Sequence, residues 1–266
     1  MMAKPHKNII VLPYWCQAEL DRYEKIAKNW SQLTQNVSDI EVCFLLLARW
    51  DAPDGTYLLK TFGNHGETKL HRCRKPKFNS RGRPSRHRIV KHMFVQAFAC
   101  VETLYADFKG FVFWMEHDVM FTDVNWLSLL NKHWFSFRDN KDRIVLMGHY
   151  VNKDNMPEIL GADNRPKIPE HINGVACYSP AILKYVRDTN FMVSDYSFDV
   201  FLSQSIKNND DWKYVNCSNL WEHRIDYWCK PYDEFKEPSP TKILIHGLKS
   251  LDSFEYHLKK LLTWAT

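Results

Sequence analysis

The chain has 266 residues, 45% hydrophobic and 14% aromatic, which supplies a substantial core and excludes a wholly disordered protein. Its longest apolar runs, 42–48 and 111–115, are too short to span a bilayer, and seven scattered cysteines without a C-x-x-C pair argue against a disulfide framework or a zinc knuckle. The formal net charge of +5 is local in origin: ten Lys/Arg lie between Lys69 and Lys91, no Asp or Glu occurs from Thr68 to Val101, and taking those ten cations from +5 leaves −5 for the rest.

A β-branched strand is expected over 8–14, then one helix over 18–33 with Leu20, Tyr23, Ile26, Ala27, Trp30 and Leu33 at helical spacing. Residues 40–48 form a continuous apolar strand, the pattern of a strand covered on both faces. The Asp51-Ala52-Pro53-Asp54-Gly55 run closes it as a turn, a third strand falls near 69–73, and 75–84 reads as a basic loop. Ser85 is placed to cap a helix running to Tyr105. An apolar strand over 111–116 ends in acids. A helix over 126–133, a strand over 144–148, an irregular stretch over 160–172 and a strand over 175–178 follow. Helices over 180–188 and 199–207, a strand over 242–245 and a closing helix over 251–262 complete the chain. Alternation of this kind predicts one α/β domain, residues 1–266, with a mainly parallel central sheet covered by helices.

Chemistry concentrates at strand ends. Glu116 and Asp118 flank His117 after the strand Phe111-Val112-Phe113-Trp114-Met115, so two carboxylates one residue apart can converge on a cation. Ligands of open α/β sheets sit at the carboxyl ends of strands. Near the C-terminus, His246-Gly247-Leu248-Lys249 follows the strand Ile243-Leu244-Ile245. Between them lies His171-Ile172-Asn173-Gly174-Val175, and then Asp195-Tyr196-Ser197-Phe198-Asp199 at a helix start.

These elements, in this order, resemble GT-A glycosyltransferases, whose fold is Rossmann-like and nucleotide-binding. Glu116-His117-Asp118 is similar to their D-x-D element, His246-Gly247-Leu248-Lys249 to an H-x-G-x-K pattern with altered spacing, and Asn173-Gly174 to an N-G-G/A turn. The resemblance implies a divalent metal, Mn2+ or Mg2+, on Glu116, Asp118 and His246. It also implies a nucleoside-diphosphate sugar as co-substrate, with Lys249 at its diphosphate and Asn173 and Gly174 beside donor sugar and acceptor. Asp199, with Asp195 second, is the expected catalytic acid; an Asp there also stabilises a helix with no catalytic role. Pro13, Tyr14 and Trp15 are expected at base and ribose, although the last two also suit a core, and Asp51 at the base. Arg86 and Lys91 are expected at the diphosphate, near a helix N-terminus suited to anions.

One or two cations suffice for a diphosphate. The others, Arg72, Arg74, Lys75, Lys77, Arg81, Arg83 and Arg88, suit a nucleic-acid backbone, with a solvated charge run as the bland alternative. Together these readings predict sugar transfer to DNA, onto a hydroxymethylated pyrimidine, as bacteriophage enzymes do. A base inside a duplex must be flipped out or caught unpaired, and Trp221, Tyr227 and Trp228 are candidate aromatic helpers. The cysteine pattern and the absence of a signal-like N-terminus predict a cytoplasmic protein, in the host cytoplasm if viral, with no membrane partner. Other acceptors (a glycan or a protein), a nucleotidyltransferase, and a nucleic-acid-binding protein on a degenerate transferase fold are the alternatives. The nucleotidyltransferase lacks a Gly-rich phosphate loop near 12–18.

Overall fold

The computed structural model describes residues 6–35, 37, 39–76, 85–105, 108, 110–137, 144–151, 170–207, 212–223 and 235–264. The expected α/β fold is present. In chain order its first half is β1 (His6–Tyr14), α1 (Gln17–Lys28), α2 (Trp30–Leu33), β2 (Ile40–Ala48), α3 (Tyr57–Gly63), β3 (Glu67–Arg72), α4 (Arg86–Leu104) and β4 (Val112–Trp114). The second half is β5 (Val119–Phe121), α5 (Trp126–Phe137), β6 (Ile144–Val151), β7 (His171–Tyr178), α6 (Ile182–Arg187), α7 (Phe198–Lys207), β8 (Trp212–Asn216), β9 (Trp221–His223), β10 (Leu244–His246) and α8 (Leu251–Trp264).

Seven strands form one sheet in the order β3-β2-β1-β4-β7-β6-β8, and β5-β10-β9 form a second. In the large sheet β1, β2, β3 and β4 run parallel, β7 is antiparallel to both β4 and β6, and β8 is parallel to β6. The chain winds outward from β1 through β2 to β3 and then crosses back to place β4 on the other side of β1. That reversal is the topological switch point, where a crevice opens at the strands' carboxyl ends.

Alternating side chains supply one aromatic cluster to each face. Trp30 of α2 meets Phe44, Phe62, Phe121 and Trp126 edge-on, and Phe113 of β4 packs on Trp126. Its neighbour Trp114 points the other way, into Phe94 of α4 and Phe198 of α7. The two faces explain why residues 42–48 of β2 are all buried and why the sequence there is continuously apolar.

Two expected boundaries shift for local reasons. The single helix over 18–33 is two, because Asn29 leaves helical geometry at φ −110°, ψ 10°, and its side-chain amide donates to the Lys25 carbonyl. The strand over 111–116 stops at Trp114, because Glu116 begins a turn closed by the Val119 amide on its carbonyl, 3.2 Å. Helix α3 and strands β5, β8 and β9 were not expected. Ser85 caps α4 as anticipated, its hydroxyl accepting from the Arg88 amide. Most of the stretch over 160–172 lies outside the described residues; its end, from His171, is the start of β7. Among the described residues no helix is long and apolar enough to cross a membrane, and the six described cysteines are all free thiols.

Candidate metal centre and adjoining pocket

Glu116 and Asp118 sit in the turn between β4 and β5, and His246 is the last residue of β10, which pairs antiparallel with β5 so that His246 lies opposite Val119. The pairing brings the three side chains together. His246 Nε2 is 3.3 Å from Asp118 Oδ1 and 3.5 Å from Glu116 Oε2, and one ligand atom from each lies within 4.8 Å of the others. Neighbouring ligands of a six-coordinate divalent ion stand about 3–3.5 Å apart for bonds of about 2.1–2.5 Å, so the set has the right dimensions. Its chemistry also fits: Asp118 Oδ1 is buried with no well-formed hydrogen bond, only His246 Nε2 facing it at 3.3 Å, and two carboxylates with one imidazole suit a divalent ion.

The surrounding backbone fixes this geometry. Beyond His246, Gly247 takes a φ of 101°, a region that favours glycine, and the Gly247 and Leu248 amides donate to the Asp118 carbonyl at 3.2 and 3.1 Å. The chain then places the Lys249 ammonium on Asp118 Oδ2. Burial alone would raise the Asp118 pKa, but His246 and Lys249 outweigh it and hold the group well below the usual carboxylate range. For His246 burial opposes protonation, yet the facing Asp118 and Glu116 push its pKa to about 9.

The switch-point pocket adjoins this centre. Pro13 and Trp15 from the end of β1, Glu19 of α1, Arg86, Val90 and Met93 of α4, and Trp114, Glu116 and His117 after β4 line it. Two guanidinium groups lie over the Trp15 ring, Arg49 at 5.2 Å and Arg86 at 5.4 Å from its centre. Arg86 is the first residue of α4, where unpaired helix amides favour an anion. Of the residues expected at the donor, Pro13, Trp15 and Arg86 therefore meet in one pocket with Glu116. Tyr14 is fully buried, with its ring against Gly55. Asp51 is paired with Arg49 and reaches the pocket only through it. Lys91 is buried, donates to the Ser194 carbonyl at 2.6 Å, and lies beside the Phe191 and Phe201 rings. Burial lowers its pKa to about 8.

The Asn173-Gly174 element is in β7, whose register against β4 pairs Trp114 with Ala176 and, continued two residues, runs Gly174 toward Glu116. Asn173 Oδ1 accepts from the Val175 amide, and the Tyr178 hydroxyl donates to the Gly174 carbonyl. A Cβ on Gly174 would stand 2.8 Å from the Phe198 ring and 3.7 Å from Asp199 Oδ2. Asp199, in the first turn of α7, lies 3.7 Å from His171 Nε2. The Tyr178 hydroxyl has a pKa raised first by burial and then by the charges of Asp199 and Glu116, so both carboxylates act on one buried ring. Asp195 is fully exposed, 3.9 Å from Arg88.

The basic residues divide. Arg72 is committed to the loop after β2, donating to the carbonyls of Arg49, Ala52 and Pro53. Arg74 and Lys75 are exposed and Arg88 is half-exposed at the first turn of α4, while Lys77, Arg81 and Arg83 lie outside the described residues, as do Tyr227 and Trp228. Trp221 is buried against Phe113 and belongs to the core.

Sequence reasoning missed Glu19, Arg22 and His117, and took Tyr23 for an apolar residue. The Tyr23 hydroxyl lies 3.0 Å from the Pro13 carbonyl and 2.9 Å from that of Met115, tying the ends of β1 and β4 together below the pocket. The only sequence signal for Glu19, Arg22 and Tyr23 was their spacing on a helix next to the first strand, and for His117 its place between the two acids.

No protein-family profile and no curated protein matches the sequence. Among solved structures, the chain is similar to the apo form of mouse xyloside xylosyltransferase 1, with 9% sequence identity and a TM-score of 0.48, over 92% of this chain and 98% of that one.

Proposed function

We propose that the protein is a metal-dependent GT-A-type glycosyltransferase that moves a sugar from a nucleoside diphosphate to a hydroxyl acceptor. One observation carries this reading: Glu116, Asp118 and His246 converge at the mouth of a switch-point pocket that also holds an arginine at a helix N-terminus. A bound divalent ion would supply neutralisation of the negative charge that develops on the departing diphosphate. Glu116, Asp118 and His246 would hold it. Arg86 binds phosphate oxygens beside the amides of the first turn of α4. Lys249, released from Asp118, offers a second cation to the same oxygens. Asp199, beyond Gly174, takes the acceptor hydroxyl proton onto a carboxylate oxygen in an inverting reaction, or stabilises the cationic sugar centre in a retaining one.

The acceptor we propose is DNA, at a hydroxymethylated pyrimidine, in a cytoplasmic setting such as a phage-infected bacterium. The support is the exposed Arg74 and Lys75 and the half-exposed Arg88 on a stretch without acids.

The test is a thermal-shift screen of nucleoside diphosphates with and without Mn2+, repeated with a short duplex. A manganese-dependent shift by one diphosphate, with a further salt-sensitive shift by DNA, is expected. No shift by any diphosphate would overturn the donor reading, turnover of a nucleoside triphosphate would identify a nucleotidyltransferase, and a shift by DNA alone would leave a binding protein.

A further inference from the structure

The face of α1 turned toward the strand ends carries Glu19, Arg22 and Tyr23, at i, i+3 and i+4 and hence on one side of the helix. Tyr23 joins β1 to β4, as described. Glu19 turns back onto the Trp15 and Cys16 amides and stands 3.5 Å from His117 Nδ1. Arg22 reaches the third strand end: its two terminal nitrogens donate to the carbonyls of Leu248 at 2.7 Å and Lys249 at 2.6 Å, and its guanidinium lies 5.3 Å from the centre of the Phe254 ring. Arg22 is only 6% exposed.

We propose that Arg22 is a positioning residue for the metal centre, holding the exit of β10 so that His246 faces Glu116 and Asp118. The proposal rests on the metal reading above. Two ligands come from the β4–β5 turn and the third from β10, so the site depends on how two separately folded segments are fixed to each other. Upstream, β10 is held by its pairing with β5. Downstream, between Gly247 and the start of α8 at Leu251, the ties include the Asp118 carbonyl, the Lys249 ammonium on the Asp118 carboxylate, the buried Leu248 side chain and Arg22. A desolvated guanidinium is costly, and an apolar side chain of similar volume would cover α1 at lower cost. What the guanidinium adds is direction. Its planar fork binds two successive carbonyls at once, which an ammonium on a flexible stem does less well. Fixing those two carbonyls fixes the rotation of the chain that carries Lys249 and, one turn of backbone earlier, His246.

The experiment is a titration of Mn2+ into the full chain, read from the loss of the free-ion EPR signal well below the melting temperature, for wild type, Arg22→Met, Arg22→Lys and Ile26→Ala. Ile26 is fully buried on the same helix and serves as a control that lowers stability without removing a hydrogen bond to the β10 exit. Partners that orient metal ligands contribute about 10–100-fold to affinity. Arg22→Met is therefore expected to weaken Mn2+ binding at least about tenfold, Arg22→Lys to fall between it and wild type, and Ile26→Ala to melt earlier with its affinity unchanged. Equal affinity in Arg22→Met and wild type would overturn the proposal alone, as would an equal loss in Ile26→Ala. A wild-type chain that binds no Mn2+ would overturn the metal reading and this inference with it. Should Arg22→Met fail to fold, Arg22→Gln, which keeps a polar donor on a shorter stem, is read by the same criterion.

Discussion

His246 Nε2 faces Asp118 Oδ1 at 3.3 Å across the β5–β10 pair, inside the protein and with Glu116 Oε2 only slightly farther from the same nitrogen. A proton and a metal ion compete for this one position. The imidazole must be neutral to bind a metal, whereas the buried carboxylates favour its cation. The relationship therefore makes pH a direct probe of the site.

For the metal-free protein the direction follows from the two shifted groups. The His246 pKa is raised from 6.5 to about 9, so its contribution to stability is complete below pH 6.5 and is lost as pH rises through about 9. Asp118 is held well below 3.8, so its contribution is present above that pH and is lost only on strong acidification. The melting temperature in EDTA should fall between pH 6.5 and 9. Over the same interval Mn2+ affinity should rise by about tenfold per pH unit, because each binding event releases one proton. An affinity independent of pH from 6.5 to 8.5 would remove His246 from the ligand set.

Asp118→Ala separates the two roles of this carboxylate. Without it Lys249, whose side chain is 58% exposed, turns to water and His246 gives up its proton, so the metal-free protein loses only about 1–3 kcal/mol. Metal binding loses a ligand outright. Orienting partners alone contribute about 10–100-fold, so a loss beyond the top of that range is expected, and transfer activity should disappear with it. Denaturant melts in EDTA together with Mn2+ titrations check both halves, and an Asp118→Ala chain that still transfers sugar would dismiss the metal assignment.

Some of this was legible in the sequence for clear reasons. The bounds of β2 were readable because its seven buried residues are unbroken by a polar one, and the start of α4 because Ser85 is a strong cap. The candidate metal ligands were readable because Glu116 and Asp118 follow an apolar strand and His246 ends one. Strand order and direction were not: nothing in His171–Tyr178 tells that β7 runs antiparallel to β4, since burial on both faces erases the alternation that distinguishes edges from centres. Strands β8 and β9 are short and mixed in polarity, and α3 has seven residues, too few for a helical period to register. Charge was the most misleading signal. Arg72 was expected at a DNA backbone and Lys91 at the diphosphate, whereas the exposed Arg72 donates to three carbonyls and the buried Lys91 to the Ser194 carbonyl.

That division gives a contrast between two arginines. Arg86 lines the pocket and lies against Trp15, so Arg86→Ala should weaken nucleoside-diphosphate binding about 10–100-fold, the worth of a charge-assisted hydrogen bond, with a small effect on melting. Arg72→Ala should do the reverse, lowering the melting temperature through the loop after β2 while leaving diphosphate affinity unchanged. Calorimetric titrations in Mn2+ on both variants decide the matter, and equal losses would mean that the run acts as a diffuse electrostatic patch.

Gly247 offers the most local test of how backbone sets the site. At φ 101° a Cβ is strained, and the cost is on the order of 1–3 kcal/mol. Relief requires the chain to rotate where the Gly247 amide meets the Asp118 carbonyl, which would swing His246 away from the two acids. Gly247→Ala should therefore lower the melting temperature and weaken Mn2+ binding together, by at least about tenfold, as loss of an orienting partner does. Gly63→Ala is the matched control: its nearest non-neighbour atom is Thr68 Oγ1 at 3.6 Å, an ordinary contact at the end of α3, so both quantities should stay as they are. If Gly247→Ala melts early yet binds Mn2+ as wild type does, the strain is absorbed on the Leu248 side of the turn, and the His246 position is set by β10 pairing alone.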